Sequence, residues 1–335
     1  MRATMDDVRH AYRLFLGREP DEHGLESHAR LVESGIETTD LARGFFGTRE
    51  FIATTGCLVK VERGEPPHAI NRLHCQACTR HQIESAEFLY WAGRLGERPG
   101  GLHRKVWEWC FITQALWERG KLGPSSRGLG FAVGVEPLTP MFANLGCDIL
   151  ATDLDHESAA QAGWVASNQH ADGAEQLNLR GLCSPEDFTR HVRFRNVDMN
   201  HIQKDLRGFD FLWSSCALEH LGSLAHGMDF VVNAMDCLAP GGVAVHTTEI
   251  NCDSDEHTIE TGGSVIYRKR DLLALADRLR GFGYEVEPMD FHLGDTAADA
   301  HIDDAPYTTT HLKLRIGPYA STSFGLIVTR PRAKS

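Results

Sequence analysis

Gly134 and Asp153 stand 19 residues apart. A glycine turn lets a ligand approach the backbone. An acid about 20 residues on, at the end of the next strand, accepts from ribose hydroxyls. The pair predicts a nucleoside-binding βαβ unit, a geometry that NAD-binding folds share. Asp198-Met199 ends a third strand, and His220 and Glu249 follow a fourth and a fifth. Both fall at the carboxyl-end crevice, where ligands of open α/β sheets sit. Glu249, Asp253, Asp255 and Glu260 offer oxygen ligands, and His257 a ring nitrogen, for a divalent cation. Acid-rich loops are ordinarily just solvated, so no metal is expected there. Cys75 and Cys78 form a CxxC between His74 and His81. A closed zinc site needs four ligands and no second pair exists, so the segment reads as a loop entering a helix.

The elements that must position these residues follow from the apolar pattern. From Gly128 onward, short apolar runs alternate with helical segments, the pattern of a parallel α/β sheet. The expected strands are 129–133, Asp148–Thr152 and Phe194–Val197, with a helix from Pro137 to Asn144 between the first two. Pro137 suits the first helical position, where its missing N–H costs nothing. Residues 80–122 read as helices, and Trp107, Trp109 and Trp117 among them read as core. Tyr284–Val286 and Ser323–Thr329 read as a closing strand pair, with a loop-rich, substrate-side insertion at 291–320.

Residues 4–52 read as three or four short helices. Val8, Tyr12, Phe15 and Leu16 share one face, Leu25, Ala29 and Val32 a second, and Leu41, Phe45 and Phe46 a third. Gly64 and Pro66-Pro67 mark a connector. The expected organisation is a helical docking domain at 1–55, a connector at 56–79, and a catalytic domain at 80–335. Within the last, 80–124 is a helical extension and 125–335 a Rossmann-like core.

The 335 residues carry a net charge of −12. Residues 128–335 hold 16 basic and 29 acidic side chains, a net −13 that repels phosphate backbones and excludes nucleic acid as a partner of that part. No run reaches the roughly 18 apolar residues of a membrane span. Nine scattered cysteines without a framework read as reduced thiols of a cytoplasmic protein.

Two resemblances extend this reading. Tyr12–Asp21 (YRLFLGREPD), with Gly24-Leu25, Gly35, Phe46 and Glu50-Phe51, resembles a small helical domain related to phycobilisome linker repeats. That domain accompanies catalytic domains in many bacterial cell-surface proteins, which implies a protein partner through residues 1–55. The segments FDFLWSSCALEHL (209–221) and LAPGGVAVHTTE (238–249) closely resemble those of class I S-adenosylmethionine-dependent methyltransferases over roughly 125–330. The resemblance implies an α/β fold with a seven-stranded Rossmann-like sheet, mostly parallel with the last strand antiparallel.

It also implies S-adenosyl-L-methionine as cofactor, held by Phe131, Ala132, Gly134, Glu136, Pro137, Asp153, Leu154, Asp198, Met199, Ser214 and Ser215. Aligned on Pro137-Leu138, the family's first-strand acid falls on Gly130, and its first and third glycines on Ala132 and Glu136. Glu136 would then accept from the methionine ammonium in place of the missing acid. The expected acceptor is a small molecule or glycan, a sugar hydroxyl above all. A hydroxyl acceptor needs a base, and an imidazole exchanges protons near neutral pH. His220 is the expected base and Glu249 an orienting acceptor. The broken glycine motif also admits a non-catalytic scaffold on the same fold.

Overall fold

The computed structural model describes residues 2–33, 35–38, 41, 42, 45, 66, 72–161, 163–166, 169–307 and 310–332. The chain divides into two compact units, Met1–Glu65 and Pro66–Ser335.

In the first unit, α1 (Met5–Ala11) opens on a capping box in which Thr4 and Asp7 satisfy each other's backbone N–H. One π-helical turn, Tyr12–Leu16, follows it, and Gly17 then takes a left-handed conformation that stops the helix. A second helix, α2, spans Glu22–Glu33. Val8, Tyr12, Leu16, Leu41 and Phe45 form the buried core, with Phe15, Val32 and Ile36 packed against it. Tyr12 and Phe45 meet edge to face at 5.0 Å. Phe46 and most of the connector lie outside the described residues.

The second unit begins with β1 (Cys75–Ala77), α3 (Arg80–Ile83), α4 (Ala86–Arg94) and α5 (Arg104–Glu118). Then come β2 (Arg127–Phe131), α6 (Leu138–Asn144), β3 (Asp148–Asp153), α7 (His156–Gln161), α8 (Pro185–His191) and β4 (Val192–Asn196). The second half runs β5 (Phe209–Ser215), α9 (Leu224–Ala234), β6 (Leu238–Asn251), α10 (Lys269–Gly281), β7 (Glu285–Val286) and β8 (Met289–Asp290). It closes with α11 (Ala297–Ala300), β9 (Ile302–Asp303), β10 (Lys313–Ile316) and β11 (Tyr319–Thr329).

These strands form one sheet ordered β4-β3-β2-β5-β6-β11-β1-β8, with β7, β9 and β10 off that path. The ladder from β4 to β6 is parallel, and β11 enters antiparallel to β6. The chain builds outward from β2 through β3 to β4, then returns to the other side with β5. That reversal sets the crevice between β2 and β5 at the carboxyl ends, where α/β sheets bind ligands. The Rossmann-like architecture is as expected, but the sheet has eleven strands rather than seven. The additions are too short for a periodic signal. One of them, Cys75–Ala77, lies in the segment read as connector and pairs with Phe324-Gly325 about 250 residues later.

Helix α5 lies across β5, β6 and β11. It is buried from Trp107 to Leu116, so the tryptophans belong to the core as expected, with Trp117 packed against it. Gly325 is what lets α5 approach: a Cβ there would sit 2.2 Å from Phe111 Cε1. Gly325→Ala is therefore expected to lower stability by about 1–3 kcal/mol, the range for overpacking a close-packed core. A guanidinium melt reads this directly, and an unchanged midpoint would show that α5 does not pack there.

Candidate functional site at the carboxyl ends of the strands

The chain leaves β2 through two left-handed residues, Ala132 (φ 46°) and Gly134 (φ 50°). Gly134 N donates to Asp153 Oδ2 at 3.0 Å, so the turn and the acid at the end of β3 are brought together. Ala171 N donates to the same oxygen at 3.3 Å, and Leu154 N to Oδ1 at 2.8 Å. A carboxylate has about four lone-pair positions, and beside the one these donors leave, His170 Nδ1 stands 3.4 Å from Oδ1. Burial raises the Asp153 pKa, opposed by these N–H groups and by His170. Gln169–Ala171 lie over the turn, and a Cβ at Gly134 would meet Gln169 O at 2.3 Å. Beyond Asp153, His156 Nδ1 and His170 Nε2 both bond Asp172 Oδ1, at 2.7 and 3.0 Å. Those three side chains are close enough to hold one cation.

On the other side of the crevice, the amino end of α5 drives Arg104 and Lys105 into the sheet. Arg104 Nη1 lies 2.5 Å from Glu249 Oε1 and 3.4 Å from Glu108 Oε1. Lys105 Nζ lies 3.1 Å from Glu108 Oε2 and 2.9 Å from Glu136 Oε1. Hydroxyls complete the cluster. Ser323 Oγ donates to Glu108 at 2.5 Å, Ser321 Oγ to Glu249 Oε2 at 2.5 Å, and Thr248 Oγ1 to Glu219 at 3.1 Å. Ser215 Oγ lies 3.2 Å from Glu108 and 3.3 Å from Glu136.

Two cations thus face four carboxylates. Glu136 Oε2 and Glu219 Oε1 remain buried without a hydrogen-bond partner. Burial raises the pKa of Glu136 and Glu219. Burial also acts to raise that of Glu108, but Lys105, Arg104 and Ser323 overcome it and hold Glu108 at about 2. Cys216, whose thiol pKa burial raises well above its usual value, stands close enough to Glu219 and Glu249 for the three to hold a metal ion. Arg104 already occupies the neighbourhood of that triad, 3.9 Å from Cys216 Sγ.

The residues named from sequence separate into groups. Ala132, Gly134, Asp153 and Leu154 form the turn and its acceptor, and Pro137 caps α6. Glu136, Ser215 and Glu249 belong to the ion cluster. Phe131, edge to face with Phe230, and Ser214, bonded to His246 Nδ1 at 2.8 Å, are interior. Asp198 accepts from Asn200 N and pairs with His201, while Met199 is buried. His220 Nδ1 donates to Gly263 O at 2.8 Å, which leaves the Nε2 lone pair as an acceptor, and its ring meets Trp164 at 4.5 Å. Glu249 is inside β6 rather than past its end, with one oxygen taken by Arg104 and the other by Ser321.

Arg104, Lys105, Glu108, Glu219, Ser321 and Ser323 were not foreseen. Glu108 gave a signal, a carboxylate between Trp107 and Trp109 in an otherwise apolar run.

A family model, "Domain of unknown function (DUF4214)", matches residues 3–55. No curated protein is similar in sequence to the chain. Among solved structures, the [4+2]-cyclase SpnF is 16% identical with a TM-score of 0.42, over 66% of this chain and 80% of that one. The glycopeptide N-methyltransferase MtfA is 14% identical with a TM-score of 0.39, over 65% and 94%. Magnesium protoporphyrin IX methyltransferase from Synechocystis PCC 6803, with bound SAH, is 10% identical with a TM-score of 0.41, over 75% and 97%. At these scores and identities the likenesses assign no activity to this chain.

The cluster makes its own prediction. Removing one member of a buried ion pair costs about 3–5 kcal/mol, so Glu108→Gln should be destabilised by that much at neutral pH. A carboxylate with a lowered folded pKa contributes stability above its unfolded value, about 4.3, and loses it as pH falls through the folded value. The gap between wild type and Glu108→Gln should narrow from pH 4.3 towards the folded value of about 2. A pH-independent gap would remove Glu108 from the paired cluster.

Proposed function

We propose that this chain is an S-adenosylmethionine-dependent methyltransferase acting on a hydroxyl of a sugar or cell-surface glycan precursor. The observation that carries the reading is Glu136, a carboxylate in the glycine turn that pairs with Lys105 and keeps its second, buried oxygen without a hydrogen bond. Opposed cations and carboxylates at a crevice suit the carboxylate and ammonium of an amino-acid moiety. Lys105 and Arg104 would hold the former, and Glu136 the latter. Asp153, with one acceptor position left, would take a ribose hydroxyl, and Asp198-Met199 would border the base. When bound, the cofactor supplies a methyl group on a cationic sulfur, so the protein's part is alignment and proton removal.

His220 would take the proton: with Nδ1 donating to Gly263 O, Nε2 is left to accept one from a hydroxyl. The helical unit, with Leu14 exposed, serves as a protein-docking module. Eight cysteines of the described residues are free, which accords with a cytoplasmic site of action. No helix among the described residues is long and apolar enough to cross a membrane.

Titration calorimetry tests the reading. Wild type should bind S-adenosylmethionine, while Glu136→Ala and Asp153→Ala should each lose about 1.5–3 kcal/mol, the value of a hydrogen bond to a charged group. A folded wild type that binds neither S-adenosylmethionine nor S-adenosylhomocysteine would leave the scaffold alternative, in which Gln169 closes the turn. With an accepted sugar, His220→Ala should lower turnover about 10²–10⁴-fold with cofactor affinity unchanged. Full activity in that variant would assign the proton to another group.

A further inference from the structure

A second cleft opens at the far edge of the same sheet end. β1 is antiparallel to β11 and β11 to β6, so β1 runs parallel to β6 and finishes at the carboxyl end. The cleft there measures about 330 Å³, within the range of small-molecule sites, and Gln76, Gln82, Asp290, His292, Asp295 and Asp299 line it. It adjoins the ion cluster through one strand position: Cys78 N donates to Ser323 O at 2.8 Å, and Ser323 Oγ bonds Glu108.

Its hydrogen-bonding groups can be assigned. Gln76 is 6% exposed, and its side-chain amide makes no hydrogen bond among the described residues although it lines the cleft. Its amide is open to the cleft and free to bond a ligand there. Asp290 stands opposite Gln76 in the parallel ladder, so the two side chains share a face. Gln82 Oε1 accepts from Trp107 Nε1 at 2.6 Å, which leaves its NH₂ as donor. His292 Nδ1 accepts from Gly294 N at 3.2 Å, so the neutral ring donates through Nε2. Asp299 is taken up by Arg80 N and Thr296. Asp290 and Asp295 supply the acceptors.

Interleaved neutral donors and carboxylate acceptors, with no Lys or Arg in the lining, fit hydroxyl groups that donate and accept at once. They reject phosphate and carboxylate ligands. We propose that this cleft is a binding site for an uncharged monosaccharide unit.

Saturation-transfer NMR on the full chain tests it, with methyl α-D-glucopyranoside, methyl α-D-mannopyranoside and L-rhamnose as probes and spermidine and inorganic phosphate as controls. At least one neutral sugar should receive saturation. Its affinity should fall about tenfold or more, a loss of one good hydrogen bond, in both Gln76→Leu and Asp295→Arg. If Gln76→Leu fails to fold, Asp295→Arg, a change on an exposed loop, decides alone. No transfer to any neutral sugar, transfer to spermidine or phosphate only, or transfer unchanged by the variants overturns the proposal. Sugar binding by a chain that does not bind S-adenosylmethionine would sink the methyltransferase reading and leave the site standing.

Discussion

The ion cluster beneath the amino end of α5 is the constraint on which the rest of the second unit depends. Each buried ion costs several kcal/mol in lost hydration, and only a close set of opposite charges and hydroxyl donors offsets it. Here the set is drawn from six places: α5 (Arg104, Lys105, Glu108), the turn after β2 (Glu136), β5 (Ser215), the turn after β5 (Glu219), β6 (Thr248, Glu249) and β11 (Ser321, Ser323). None of these groups can move alone without leaving a charge unpaired. The cluster therefore fixes the start of α5 over the crevice, while Phe111 against Gly325 fixes its middle.

The other half of the crevice is held by neutral means. Asp153 organises three backbone N–H groups from three segments, which makes it the structural anchor of the glycine turn as well as the expected ribose acceptor. One carboxylate serving both purposes explains why the altered motif keeps its shape. Gly134 alone preserves the close approach, and Ala132 accepts a left-handed conformation that glycine adopts more cheaply. Glu136 sets a negative charge at the crevice, against Lys105.

The parallel ladder was legible because each strand is a short apolar run bounded by turns, and because Gly134, Asp153, Pro137 and the two long motif segments fall at element ends. The edge strands were not legible. Cys75–Ala77 has three residues and a partner distant in sequence, so neither periodicity nor local pairing marks it. Glu249 was misplaced by two residues because β6 runs on to Asn251, and its partner Ser321 is adjacent only through the antiparallel return of β11. Nothing in the sequence singles out Arg104 and Lys105, since the pattern of α5 does not reveal that the helix is buried on all sides from Trp107 to Leu116.

Charge then limits what this sheet end can receive. Residues 128–335 carry a net −13, and the cluster adds two unpartnered carboxylate oxygens at short range. A field of that sign slows the approach of anions and concentrates cations, and low-dielectric walls strengthen the effect within a cleft. A ligand that carries its own positive charge is drawn to the Glu136 side, whereas an anionic co-substrate meets repulsion from both clefts. A neutral hydroxylated acceptor feels neither force and must be held by hydrogen bonds alone. The cleft beside β1 offers amides, imidazole and carboxylates without Lys or Arg, so the paired charges lie on one side of Ser323 and hydrogen-bonding groups without a basic side chain on the other.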